Sequence, residues 1–221
     1  MKTLTLEAGT ASSLAITVAS GEINFNGVPG GNRVTLSYGY FLANQELPPE
    51  SSMDPEFLQD GSSRLVLRQT PDQAKRANQL QAHLVARIDA PAQMSLAQCR
   101  LTSASASVRG AHGMELELAS GTLEAAENTG AYSISADSGT IRVSRPAPGF
   151  HHVIAVKAGT IMLAPGALLP LVRAEVAQGV IQGGQGRLEQ IGAAGWRLVP
   201  LNADPTTSLE CRAGSGSIMI G

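Results

Sequence analysis

The sequence predicts an all-β chain wound as a β-solenoid, a single-chain β-helix with coils of about 18–20 residues. The first observation behind this is a unit in which glycine precedes alternating aliphatics. It occurs as Ser120-Gly121-Thr122-Leu123, Ser138-Gly139-Thr140-Ile141-Arg142-Val143, Ala158-Gly159-Thr160-Ile161-Met162-Leu163, Gln178-Gly179-Val180-Ile181 and Gly216-Ser217-Ile218-Met219-Ile220. These glycines stand 18, 20 and 20 residues apart, with 37 to the last, close to two further periods. Second, Gly113, Gly130, Gly149, Gly186 and Gly195 fall near the midpoints and are followed by strands such as Met114–Leu118 and Ala131–Ser135. Third, aromatic residues make up only 4% of the 221 residues beside 24 glycines, which suits a narrow interior filled by Val, Ile, Leu and Ala.

In chain order, residues 1–80 read as an atypical N-terminal β region that caps the stack. Short strands are expected at Thr3–Leu6, Leu14–Val18, Glu22–Asn26 and Arg33–Tyr38, and Ser20-Gly21-Glu22-Ile23-Asn24-Phe25 is similar to the later unit. Gly27–Gly31 is a turn, since it lacks the Lys-Ser/Thr of a phosphate loop and no helix follows. Asn44–Ser63 breaks the pattern with prolines and acids and has no basic residue. Its Glu46, Glu50, Asp54, Glu56 and Asp60 make it either a solvated loop or a docking loop, and their spacing does not suit a calcium loop. Arg64–Arg68 is a strand. Thr70-Pro71-Asp72 supplies an N-cap with proline at the first helical position, predicting one short helix near 71–79. Residues 81–221 form the repeat region, opening with Ala82, Leu84, Ala86 and Ile88 on one face and His83, Val85 and Arg87 on the other.

Glycine serves these corners because it reaches positive φ without a Cβ penalty and lets neighbouring backbones approach. Gly113, Gly121, Gly130, Gly139, Gly149, Gly159, Gly179, Gly195 and Gly216 are therefore expected at turns. Prolines such as Pro146, Pro148 and Pro165 belong between strands, because proline donates nothing to a ladder.

Chemistry is sparse. A net charge of −2 with 15% charged residues does not suit nucleic-acid binding. Cys99 and Cys211 read as buried free thiols, with no Cys-x-x-Cys spacing to make a metal site. The four histidines are His83, His112 and the adjacent pair His151-His152, and neighbours in a strand face opposite ways, so the pair cannot chelate one metal. Aligning the units puts Glu124, Arg142, Met162, Gln182 and Met219 at one outward position, a mixed set with one carboxylate where glycoside cleavage needs two. No cofactor and no catalysis are expected. The apolar runs are too short to span a bilayer, and the N-terminus has no apolar core of a signal peptide, so a cytoplasmic or assembly-bound protein is expected.

Residues 82–221 resemble a family of bacterial β-strand-repeat proteins described as "putative adhesins" of unknown function. Leu84-Val85-Ala86-Arg87-Ile88-Asp89-Ala90-Pro91-Ala92 is similar to the strand that leads into their repeats, and the Gly121 and Gly139 units match the repeat most closely. The aspartate usual after Ser-Gly is Thr, Glu, Val or Ser here. The resemblance implies a β-solenoid without established catalytic residues.

Two functions follow as expectations. The first is a non-catalytic structural or scaffolding protein that assembles with itself or partner subunits through its end coils, with Ile218, Met219 and Ile220 as the assembly edge because the chain stops in mid-pattern. The alternative is an adhesin-like binding module that presents a solenoid wall or the 44–63 loop to a protein or glycan.

Overall fold

The structure, a computed structural model, describes residues 1–48, 51–61, 63–164, 170–183, 186–200 and 204–221. Among the described residues the fold is all-β with a single α-helix. The N-terminal strands are β1 (Lys2–Glu7), β2 (Ser13–Val28), β3 (Arg33–Leu42), β4 (Gln45–Glu46), β5 (Glu56–Asp60) and β6 (Arg64–Arg68), with a 3-10 turn at Ser51–Met53. The helix α1 (Pro71–Gln79) leads to β7 (His83–Pro91), β8 (Ser95–Arg109), β9 (Met114–Ala126), β10 (Tyr132–Ser144) and β11 (His151–Ala164). The remaining strands are β12 (Pro170–Gly183), β13 (Gly186–Ile191), β14 (Gly195–Pro200) and β15 (Asp204–Ile220). All fifteen join one mixed sheet that does not close on itself.

The period of the sequence appears as ladder register. Ile134 lies beside Leu116 and Ile154, 18 residues back and 20 on, in a run of parallel pairs. The long strands turn at a shared corner, glycine in β2, β9, β10, β11, β12 and β15 and Ala104 in β8, and burial changes phase there. In β10, Tyr132, Ile134 and Ala136 are buried before Gly139, whereas Ile141 and Val143 are buried after it. Inward positions move from even to odd numbers, so the corner keeps both halves of the strand facing one core. These halves are called the first and second arms. Gly121, Gly139, Gly159, Gly216 and Gly179 stack on adjacent strands with φ between +122 and +148. A Cβ on Gly139 would lie 2.0 Å from the Gly121 carbonyl oxygen, so both the conformation and the close approach require glycine. Of the other turn glycines, Gly113, Gly130 and Gly149 precede β9, β10 and β11, and Gly195 opens β14; a Cβ on Gly130 would lie 1.5 Å from the His112 carbonyl oxygen, whereas one on Gly149 would meet nothing within 4 Å.

The order of the strands corrects one expectation. Ile218, Met219 and Ile220 were expected at an exposed end, yet β15 lies between β11 and β12, with Ile218 paired to both Ile161 and Ile181. Both sides of that backbone are used, so no assembly edge exists there. The chain passes from β11 to β12 one position further out, makes the β13–β14 hairpin, and returns to fill the gap. Glycine spacing reports the period but is blind to this order. A similar return occurs at the other end, where β2 has β8 on one side and, on the other, β6 along its first arm and β7 along its second. One sheet therefore crosses the boundary expected at residue 80.

The core is a set of aliphatic columns, such as Leu123, Ile141, Ile161, Ile218 and Ile181, each at most 5% exposed. Burying each such side chain contributes about 2 kcal/mol. The helix begins where its cap predicts: the Thr70 hydroxyl accepts from the Gln73 N–H at 3.4 Å, and the Gln73 side chain accepts from the Thr70 N–H at 2.7 Å.

Among the described residues four polar side chains are buried, Gln69, Asn128, Thr207 and His152, and the last is the most deeply enclosed. His152 is 0% exposed and stacks on the Tyr132 ring with centroids 4.0 Å apart. Its Nε2 bonds the Ala147 carbonyl at 2.9 Å, while Nδ1 and the Tyr132 hydroxyl are buried without partners. Burial holds its pKa below the ordinary 6.5. Above pH 6.5 folded and unfolded chains both carry a neutral ring. As pH falls below 6.5 the unfolded chain takes the proton first, so stability declines by up to about 1.4 kcal/mol per pH unit until the folded pKa is reached. Melting temperature measured from pH 8 to 5 should show this decline, and His152→Leu should flatten it.

Candidate functional site

Outward residues of the two arms form two walls of different character. On the first-arm wall, cross-strand neighbours carry opposite charges. Arg68 meets Glu56 at 2.5 Å, Arg100 meets Glu117 at 3.1 Å, and Arg197 meets Glu175 at 2.9 Å. Arg212 and Glu210 pair along β15. Such exposed pairs contribute little stability, but they leave most of this wall's charges already engaged.

The second-arm wall is built by the residues that follow each corner. Ser105, Thr122, Thr140, Thr160 and Ser217 form a column of hydroxyls on five adjacent strands. Neighbouring hydroxyls bond at 2.8 Å for Ser105–Thr122 and 3.2 Å for Thr160–Ser217. Two residues on, the next column runs Ser107, Glu124, Arg142, Met162, Met219 and Gln182. The mixed outward stack expected from the sequence is thus real, with Met219 and Gln182 exchanged in order. Arg142 bonds Glu124 at 3.2 Å. The wall grades from polar to apolar. A shallow groove of about 490 Å³ covers the polar half, from Glu22 and Asn24 to Arg142, and another of about 570 Å³ covers the half around Met162, Ala164 and Met219. Met219 is 37% exposed and Val180 46%. Hydroxyls, one ion pair and two adjacent methionines make a surface suited to holding a ligand by hydrogen bonds at one end and apolar contact at the other.

The acidic segment is fastened to the body rather than free. Asp54 receives the Lys2 ammonium at 2.5 Å, Glu56 receives Arg68, and Glu46 on β4 meets the Met1 amino group. Met53 is buried, and its carbonyl accepts from the Tyr40 hydroxyl at 2.7 Å. Burial first, and then the Asp54 carboxylate, push the Tyr38 hydroxyl up to about 12. Asp60 ends β5, and Glu50 lies outside the described residues. The cations come from other elements, which is why a segment without basic residues looked unpaired in the sequence.

Of the other candidates, His151 is exposed, with Nδ1 2.6 Å from the Ser208 hydroxyl, while His152 points inward, as alternation requires. Cys99 and Cys211 are free and buried, and burial pushes the Cys99 thiol up to about 12. Among the described residues no three Asp, Glu, His or Cys side chains gather around a metal-sized site, and no helix is long and apolar enough to cross a membrane.

No protein-family model matches the chain, and no curated protein matches it. Among solved structures, the fold is similar to that of a "putative cell adhesion protein" from Clostridium sporogenes, with a TM-score of 0.54 and 13% identity over 99% of this chain and 98% of that one. A "putative adhesin" from Bacteroides fragilis aligns over 100% of this chain and 97% of that one, at a TM-score of 0.32 and 9% identity. At this identity the first likeness is one of fold.

Proposed function

We propose that this chain is a non-catalytic, adhesin-like binding module in which bent strands wind as a β-solenoid and the second-arm wall is offered to a protein or glycan partner. The winding is supported by connection lengths. The 13 residues of β9 would span about 40 Å if straight. Only Glu127–Ala131 separate its end from Tyr132, which pairs with Met114 at its start, and that link reaches at most about 22 Å. A strand folded over at Gly121 satisfies both lengths.

The observation that carries the functional reading is the contrast between the walls: the first arms are dominated by charges spent on one another, while the second arms present a column of hydroxyls and the Met162–Met219 pair beside the Arg142–Glu124 ion pair. The whole-length fold likeness to the Clostridium protein and the resemblance of the repeat to the β-strand-repeat adhesins point the same way. Placement of β15 in the interior removes the feature that favoured end-to-end scaffolding. The test is a screen of immobilised glycans and extracellular proteins with the purified chain and with Met162→Glu/Met219→Glu. A partner held by the wild type and weakened at least about tenfold by the pair of charges, roughly 1.4 kcal/mol, supports the wall. Unchanged binding refutes it.

A further inference from the structure

Among the described residues the outer edges of the sheet carry charge, with one exception. The edge strand β1 carries Lys2 and Glu7, β4 carries Glu46, β5 carries Glu56 and Asp60, and β13 carries Arg187 and Glu189. Charged, short edges are how native sheets avoid adding foreign strands. The exception is the second arm of β12. Its first arm is covered by β14, with Ala174–Val176 opposite Leu198–Trp196. Beyond the bond from the Gly179 N–H to the Ala194 carbonyl, at 3.2 Å, no described strand pairs its outer side. The segment reads Gln178-Gly179-Val180-Ile181-Gln182-Gly183, without a charge or a proline. Gln178, Val180, Gln182 and Gly183 are exposed, whereas Ile181 remains in the inward column at 5%.

We infer that Val180–Gly183 is a strand-addition site that takes an extended polypeptide segment without net charge in parallel as the next member of the second-arm sheet. A backbone edge is completed by another backbone, so the occupant is a peptide strand rather than a sugar or a lipid. It is a parallel strand because every neighbour on this arm from β8 to β12 is parallel. It carries an aliphatic residue at the position facing Ile181, because that inward column is aliphatic throughout and would otherwise end against solvent. The inference concerns the end of the sheet and holds whichever partner the wall accepts.

The probe is a fluorescent nine-residue peptide with the sequence Ala136–Ser144, which already occupies an equivalent second arm in β10. The expected result is saturable binding by anisotropy, with exchange of the outward-pointing amides of Val180–Gly183 slowed at least about tenfold by the peptide. Val180→Lys should weaken binding about tenfold or more without moving the melting temperature, because the side chain is 46% exposed. Gln182→Lys serves the same purpose if the first variant folds poorly. Outward-pointing amides of Val180–Gly183, those not laddered to β15, that already exchange slowly in the free protein, or peptide binding unaffected by both lysines, would overturn the inference. Self-association abolished by the same lysines would also overturn it, by making the occupant a second copy.

Discussion

Gly139→Ala is expected to destabilise the fold by about 4 kcal/mol or more, read as a shift of the urea midpoint. The new methyl would sit 2.0 Å from the Gly121 carbonyl oxygen and about 3.0 Å from that residue's N and C atoms, all backbone that cannot turn aside. The φ of +130 adds strain of about 1–3 kcal/mol for any side chain. Relief would require two stacked strands to separate, and β10 is held on both sides through Gly121 and Gly159. Gly149→Ala is the control. That residue also has positive φ, +79, but a Cβ there meets nothing within 4 Å, so a cost of about 1 kcal/mol is expected. Equal losses at the two positions would mean that close stacking does not govern the corners.

Ile161→Ala is expected to cost about 3 kcal/mol, the sum of lost transfer energy and an unfilled cavity. Ile161 is fully buried between Ile141 and Ile218 on strands too regular to collapse into the gap. Met162→Ala, one residue on and facing outward, is expected to cost less than about 1 kcal/mol. Chemical denaturation of the two variants reads the alternation directly, and a reversal of their order would place the wrong face inward.

Much of this was legible in the chain. The unit Gly-Thr-Ile-x-Val states both that a strand follows a corner and which residues face in, because period-two alternation is local and glycine at positive φ is a single-residue requirement. Thr70-Pro71 stated the helix start for the same reason. The order of strands was hidden, since the units around Gly159, Gly179 and Gly216 are interchangeable in pattern and only three-dimensional pairing shows Gly216 between the other two. The acidic segment misled because its partners, Lys2 and Arg68, are supplied by other strands. On the wall, the outward residues were identifiable from alignment of the units, but the gradient from Glu124 and Arg142 to Met162 and Met219 needed the true strand order. The burial of His152 followed from alternation only as one of two choices. The structure decides it by placing the ring over Tyr132.

The most direct test of the binding-module reading compares the two walls on one partner from the glycan and protein screen. Affinity is measured by surface plasmon resonance for the wild type, for Met162→Glu/Met219→Glu on the second-arm wall, and for Arg100→Glu/Arg212→Glu on the first-arm wall. The prediction is a loss of at least about tenfold for the methionine pair and less than about threefold for the arginine pair, with all three proteins melting alike. Loss confined to the arginine pair, or equal retention by all three, would contradict it.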